Sequence, residues 1–141
     1  MTAGTTASVT TANGAVTIAD LMTEATLQTV NAFNDALNRH DVDAVMALMT
    51  DDCVFENTWP APDGERYEGQ AAVRGFWERL IAGSPSAHFA VEDLFAAGDR
   101  ATQRWRYTWV DAQGTPGHIR GVDVFRVCDG QVAEKYAYVK G

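Results

Sequence analysis

Cysteine is scarce in this chain: Cys53 and Cys128 are the two among 141 residues. Two thiols make neither a disulfide scaffold nor a zinc knuckle, and they fit a reducing, cytoplasmic compartment. Basic residues are few as well. Eleven Lys and Arg against nineteen Asp and Glu give a formal charge of −8. That balance argues against nucleic acid or an anionic membrane as partner, since phosphates demand clustered Lys and Arg. No apolar run approaches the roughly 20 residues of a membrane span. The three histidines form no H-x-H pair and no helical i,i+4 pair, so no metal constellation is expected. No G-x-S-x-G, P-loop or dinucleotide fingerprint occurs, so neither a nucleophilic serine nor a nucleotide cofactor is expected. The expected cofactor is none.

What is present is a hydrophobic fraction of 46% in a length that suits one domain. A chain of this size buries roughly 68–70% of its unfolded surface, enough for a core without staples. Residues 1–19 carry no charged side chain and are rich in Thr, Ala and Gly. They lack the basic start and solid apolar run of a secretory signal. A disordered leader, or an arm packing on a partner subunit, is expected there, with one domain over 20–141.

Apolar Leu27, Val30, Phe33 and Leu37 fall at helical spacing between Thr23 and His40, with Thr23 or Asp20 as the cap. Asp41 reads as the N-cap of a short second helix, with Val42, Val45, Met46 and Met49 as its stripe. A third helix is expected from about Gln70 to Ala82, burying Val73, Phe76, Trp77, Leu80 and Ile81. Strands are expected over 53–57, 88–95, 101–110, 118–127 and 131–139. Between 101 and 110, Gln103, Trp105, Tyr107 and Trp109 alternate against Arg104, Arg106 and Thr108. Strands in succession with short turns imply an antiparallel sheet with helices on one side, an α+β arrangement.

Several phrases then become informative through their order. They are Asn38-Arg39-His40-Asp41-Val42-Asp43-Ala44, Asp51-Asp52-Cys53-Val54-Phe55, Tyr67-Glu68-Gly69-Gln70-Ala71-Ala72-Val73 and Gly121-Val122-Asp123-Val124-Phe125-Arg126-Val127. Over residues 21–141 they resemble the NTF2-like superfamily, and within it the SnoaL-like polyketide cyclases and ketosteroid isomerases. The resemblance implies a curved sheet wrapped around three helices into a cone. It also implies an apolar pocket at the mouth and a homodimer through the outer sheet face.

Asp123 is the foremost candidate. It stands in an apolar strand with Ile119, Gly121, Phe125 and Val127 as face mates. Burial among them penalises a bare carboxylate and suits proton transfer. The alternative is a strand Asp paired with Arg104 or Arg106, and alternation does not choose the pocket side. The resemblance places the family's acid/base Asp on Asp123. The isomerase base position falls instead on Asn57, and its Tyr donor position on Phe33. Steroid isomerisation by that mechanism is therefore not expected. Asn57 is either a polar group of the pocket or a strand-end cap; an Asn at the similar strand of limonene-epoxide hydrolase positions water.

His118 precedes the Asp123 strand and is a site candidate or a loop-edge residue. His88 reads as a rim residue. Trp105, Tyr107, Phe125, Tyr136 and Phe33 are candidates for substrate contact, as is Trp59, whose Pro-bounded loop suits a lid or a subunit contact. Glu134 reads as an ion-pair partner, with Arg126 in reach. The expected function is a cofactor-free acid/base enzyme on a small hydrophobic carbonyl or epoxide compound, of polyketide, terpenoid or aromatic type. The alternative is a binding or accessory module of the same fold, since fold alone does not choose.

Overall fold

The computed structural model describes residues 8–11 and 14–141. Two short strands, β1 (Ser8–Thr11) and β2 (Gly14–Thr17), pair antiparallel within the segment expected as a leader or arm. Residues 1–7 and 12–13 of that segment lie outside the described residues. Helix α1 (Ile18–Asn38) begins earlier than the apolar spacing suggests. Its cap is Thr17, where Thr23 or Asp20 was expected. The Thr17 hydroxyl accepts from the Asp20 N–H, and the Asp20 carboxylate accepts from the Thr17 N–H, both at 3.1 Å. This reciprocal capping box satisfies two free donors of the first turn. Val30, Phe33, Ala36 and Leu37 form the buried face.

Helix α2 (Val42–Ala47) starts at Asp41 as expected, the Asp41 carboxylate accepting from the Ala44 N–H at 3.0 Å. Met49, expected on its stripe, instead opens β3 (Met49–Glu56) and stays buried there. A short β4 (Arg66–Glu68) follows, for which the sequence carries no clear signal. Helix α3 (Gln70–Gly83) buries Val73, Phe76 and Trp77. The chain ends in β5 (His88–Ala97), β6 (Arg100–Val110), β7 (Pro116–Cys128) and β8 (Gln131–Val139).

The six strands β3 to β8 form one curved sheet in the order β4-β3-β8-β7-β6-β5. The ladders are antiparallel except at β3 and β8, which run parallel with Phe55 opposite Lys135. The sheet is thus mixed where a wholly antiparallel one was expected. Consecutive hairpins reverse β5 through β8, and the number of reversals returns β8 in the direction of β3. Irregularities between Val91 and Asp93 and between Arg126 and Val127 mark places where bulges bend strands. The concave face packs on the helices. Phe33 meets Trp77 and Phe125 edge-on, with ring centres 6.1 and 6.0 Å apart. Cys53 is buried and Cys128 exposed, both free. Among the described residues no helix is long and apolar enough to cross a membrane.

Candidate active site

Strand register decides which face each candidate serves. Gln103, Trp105 and Tyr107 of β6 lie opposite Asp123, Gly121 and Ile119 of β7. Gln103, Trp105, Asp123 and Phe125 are buried. Their odd positions point to the concave side, and Arg104, Arg106, His118 and Arg120 take the other side by alternation. Gly121 has a steric reason. A Cβ there would come 2.4 Å from the Trp105 ring, so the indole lies across the strand only because that side chain is absent.

The concave face holds a buried polar chain of four residues. Asn34 of α1 and Gln103 exchange amide hydrogen bonds: Asn34 Nδ2 donates to Gln103 Oε1 at 2.7 Å, and Gln103 Nε2 donates to Asn34 Oδ1 at 3.1 Å. Gln103 Nε2 also donates to Asp123 Oδ2 at 2.9 Å. The other carboxylate oxygen, Oδ1, accepts from Lys135 Nζ at 3.2 Å. Asp123 and Lys135 are 3% and 4% exposed, so this is an ion pair withdrawn from water. Such a pair persists only when geometry and further hydrogen bonds offset the loss of hydration. Here the Gln103 amide serves the carboxylate. The ammonium lies 4.7 Å from the Phe55 ring centre, 5.5 Å from Trp77 and 5.9 Å from Phe125, within reach of cation–π attraction.

Beside Lys135 opens a cavity of about 190 Å³, walled largely by aromatic side chains. Lys135 lines it, with Phe55, Trp77, Trp105 and Tyr107 among its neighbours. Asn57 and Thr58 add polar groups, and Trp59 forms part of the mouth while remaining 71% exposed. The Trp77 and Trp105 indole N–H groups are buried and find no acceptor among the described residues. The mouth loop is closed by Asn57 N–H to the Glu65 carbonyl at 2.9 Å and Gly64 N–H to the Pro60 carbonyl at 2.7 Å.

The sequence candidates divide accordingly. Asn57, Trp59, Trp105 and Tyr107 come together around the cavity. Asp123 is one residue behind its wall, its carboxylate turned to Lys135 and Gln103 and not to Arg104 or Arg106. Phe125 and Phe33 are fully buried beneath, as packing under Lys135 and Trp77. Tyr136 sits on the opposite face of β8 from Lys135, opposite Glu56 and Val124. His118 does not reach Asp123. It is exposed, opposite Thr108, in a separate groove with Arg106 and Trp109. Strand alternation separates the two, because His118 and Asp123 are an odd number of positions apart. His88 is exposed at the start of β5, and Glu134 pairs with Arg126 at 3.2 Å.

Sequence reasoning passed over Lys135, Gln103 and Asn34 as functional groups. A signal existed for Lys135: Ala133 and Ala137 are its face mates, and two small apolar neighbours place it on the inner side.

A SnoaL-like domain model matches residues 30–135. The chain belongs to the SnoaL-like family. A solved NTF2-like protein of unknown function from Mesorhizobium loti is 44% identical, over 84% of this chain and 93% of that one, with a TM-score of 0.72. A protein from Jannaschia provisionally assigned as a SnoaL-like polyketide cyclase is 22% identical over 84% and 88%, TM-score 0.71. RV0760c from Mycobacterium tuberculosis, solved with estradiol-17beta-hemisuccinate, is 24% identical over 81% and 92%, TM-score 0.70. The last two share the fold with this SnoaL-like chain. A search of curated proteins gave no match.

Proposed function

We propose that this SnoaL-like protein is an acid/base enzyme acting on a small, neutral, hydrophobic carbonyl compound of aromatic, polyketide or terpenoid type. The observation that carries this reading is the buried Lys135–Asp123 pair at the back of an aromatic cavity. Lys135 donates to the substrate oxygen, and Asp123 holds the ammonium in place and handles its proton. An ammonium fixed in a site shielded from water stabilises the negative charge that grows on a carbonyl oxygen during enolisation. An epoxide oxygen would accept the same hydrogen bond.

Two magnitudes narrow the substrate. A cavity of roughly 150 Å³ is enough for benzene, so about 190 Å³ suits a single substituted ring or a short terpenoid skeleton. The pair is neutral in sum, and no carboxylate or second amine lines the cavity among the described residues. A neutral ligand keeps that balance, whereas a carboxylate would bring an uncompensated charge into an apolar site. Asn57 and Tyr107 orient the ligand, and Trp59 covers the mouth.

Three ring compounds of similar size test this by NMR titration: acetophenone, ethylbenzene and benzoate. Acetophenone binds most tightly, and Lys135→Met erases its advantage over ethylbenzene. Tightest binding of benzoate would overturn the neutral-carbonyl reading.

One observation favours a binding module without catalysis: Asp123 does not itself line the cavity. Deuterium exchange into the acetophenone methyl group separates the readings. Exchange that depends on Lys135 and is lost in Asp123→Asn supports the enzyme; no exchange by the wild type supports the binder. The proposal includes a cytoplasmic location, in keeping with two free thiols, and a homodimer. Phe95 and Tyr138 are 60% and 59% exposed on the outer sheet face, the surface a second copy would cover.

A further inference from the structure

We propose that Lys135 Nζ forms a covalent imine with its carbonyl substrate, an aldehyde or ketone. This rests on the reading of the cavity as a site for neutral carbonyl compounds and adds a chemical step to it.

Composition gives the first reason. The chain has nine arginines and two lysines, Lys135 and Lys140. Arg is the usual choice where a fixed, bidentate positive charge suffices, and it stays protonated. The buried cation of the cavity is nevertheless a lysine, which unlike arginine becomes a nucleophile on losing a proton. Lys135 is also the sole amine or carboxylate among the described residues lining the cavity.

Geometry gives the second. Asp123 Oδ1 is 3.2 Å from Nζ, within proton-transfer distance, and Gln103 fixes its other oxygen. The ammonium passes one proton to Asp123. The freed amine adds to the carbonyl carbon, forming the C–N bond, while the carbonyl π pair moves to oxygen. The proton the nitrogen then sheds goes to that oxygen, giving a neutral carbinolamine. Asp123 returns its proton to the hydroxyl, the C–O bond breaks, and water leaves as the nitrogen lone pair forms C=N. Ammonium and carbonyl have become iminium and water.

Charge gives the third. One positive charge stands on Nζ at the start and at the end, facing the same carboxylate. The Phe55 and Trp77 rings, 4.7 and 5.5 Å from Nζ, serve iminium as they serve ammonium. The aromatic walls limit the water that would hydrolyse the adduct. The iminium withdraws electrons from the α-carbon, which prepares it for proton loss and for carbon–carbon bond formation.

Lys140 is an internal control, since it is exposed and lies outside the cavity. The full chain is incubated with benzaldehyde and sodium cyanoborohydride, and its peptides are mapped by mass spectrometry. The Lys135 peptide gains one benzyl group ahead of Lys140 and the N-terminus, with a rate that saturates in benzaldehyde. Asp123→Asn slows labelling of Lys135 and leaves Lys140 unchanged. Lys135→Arg loses the fast label. Labelling of Lys140 without Lys135, in protein that binds benzaldehyde in the cavity, overturns the imine and leaves the carbonyl reading standing. Failure of benzaldehyde and acetophenone to bind at all overturns both. The wild-type ratio of the two lysines decides the matter even if the variants do not fold.

Discussion

Lys135 Nζ donates to Asp123 Oδ1 across 3.2 Å, with both side chains almost wholly withdrawn from water. β8 places Lys135 in register between Phe55 and Phe125, and β7 places Asp123 opposite Gln103. The charge pair is therefore set by two strands of the sheet and steadied by an amide chain that reaches α1. The cavity meets the cationic member of the pair.

Removing one partner leaves the other charge buried and unpaired. Lys135→Met or Asp123→Leu alone is expected to lower unfolding stability by about 3–5 kcal/mol. The double variant should cost much less than the sum, because no charge is stranded. Urea unfolding of the four proteins measures the coupling. Additive losses would show that the two groups do not act as a pair.

Gln103→Leu leaves Asp123 Oδ2 and the Asn34 amide without their partner. The expected cost is about 1–3 kcal/mol per group left unsatisfied in the interior. Asn34→Leu combined with Gln103→Leu should recover part of it. Thermal unfolding with ligand titration checks both points. A Gln103→Leu protein as stable as wild type would show that the amide chain does not hold Asp123.

Gly64 has φ +75°, and a Cβ there would fall 1.7 Å from the Asn57 carbonyl oxygen. Gly64→Ala must therefore open the turn that carries Trp59 and Asn57 at the cavity mouth. The expected result is a destabilisation of more than about 1 kcal/mol together with weaker acetophenone binding. Unchanged affinity would remove Trp59 and Asn57 from the binding site.

Outside the cavity, Arg120 grips Glu92 through two hydrogen bonds of 3.1 and 2.7 Å. That bidentate contact holds the Glu92 carboxyl below its usual 4.5. A lowered folded value favours the native state above the unfolded value. The benefit fades as pH falls through the folded value. Glu92→Gln should therefore lower stability slightly at neutral pH and flatten the acid side of the stability–pH curve, the two proteins converging as pH falls below about 4.5. An identical acid limb in both proteins would contradict this.

The helices and the four long strands were legible because their signals are local. Asp41 caps α2, and Gly98 and the Asp129-Gly130 turn punctuate the hairpins. The start of α1 was obscured because Thr17 lies among uncharged residues that resemble a tail. β4 is three residues long, too short for a periodic signal. Asp123 stood out as an acid in an apolar strand, but alternation chose neither its face nor its partner. Lys135 sits twelve positions away in the chain and meets Asp123 only through the β7–β8 register. Local charge instead drew attention to Glu134, which pairs with Arg126 on the opposite face. His118 stood near Asp123 in sequence, yet alternation puts the two on opposite sides.

The central claim is that substrate meets Lys135, with Asp123 behind it. A crystal structure of the protein with acetophenone tests this most directly. The account predicts the ring among Phe55, Trp77 and Trp105, with its oxygen within hydrogen-bond reach of Lys135 Nζ or the carbonyl carbon joined to it. A ring seated there with the oxygen turned toward Trp59 and solvent, or acetophenone bound in another groove, would contradict it.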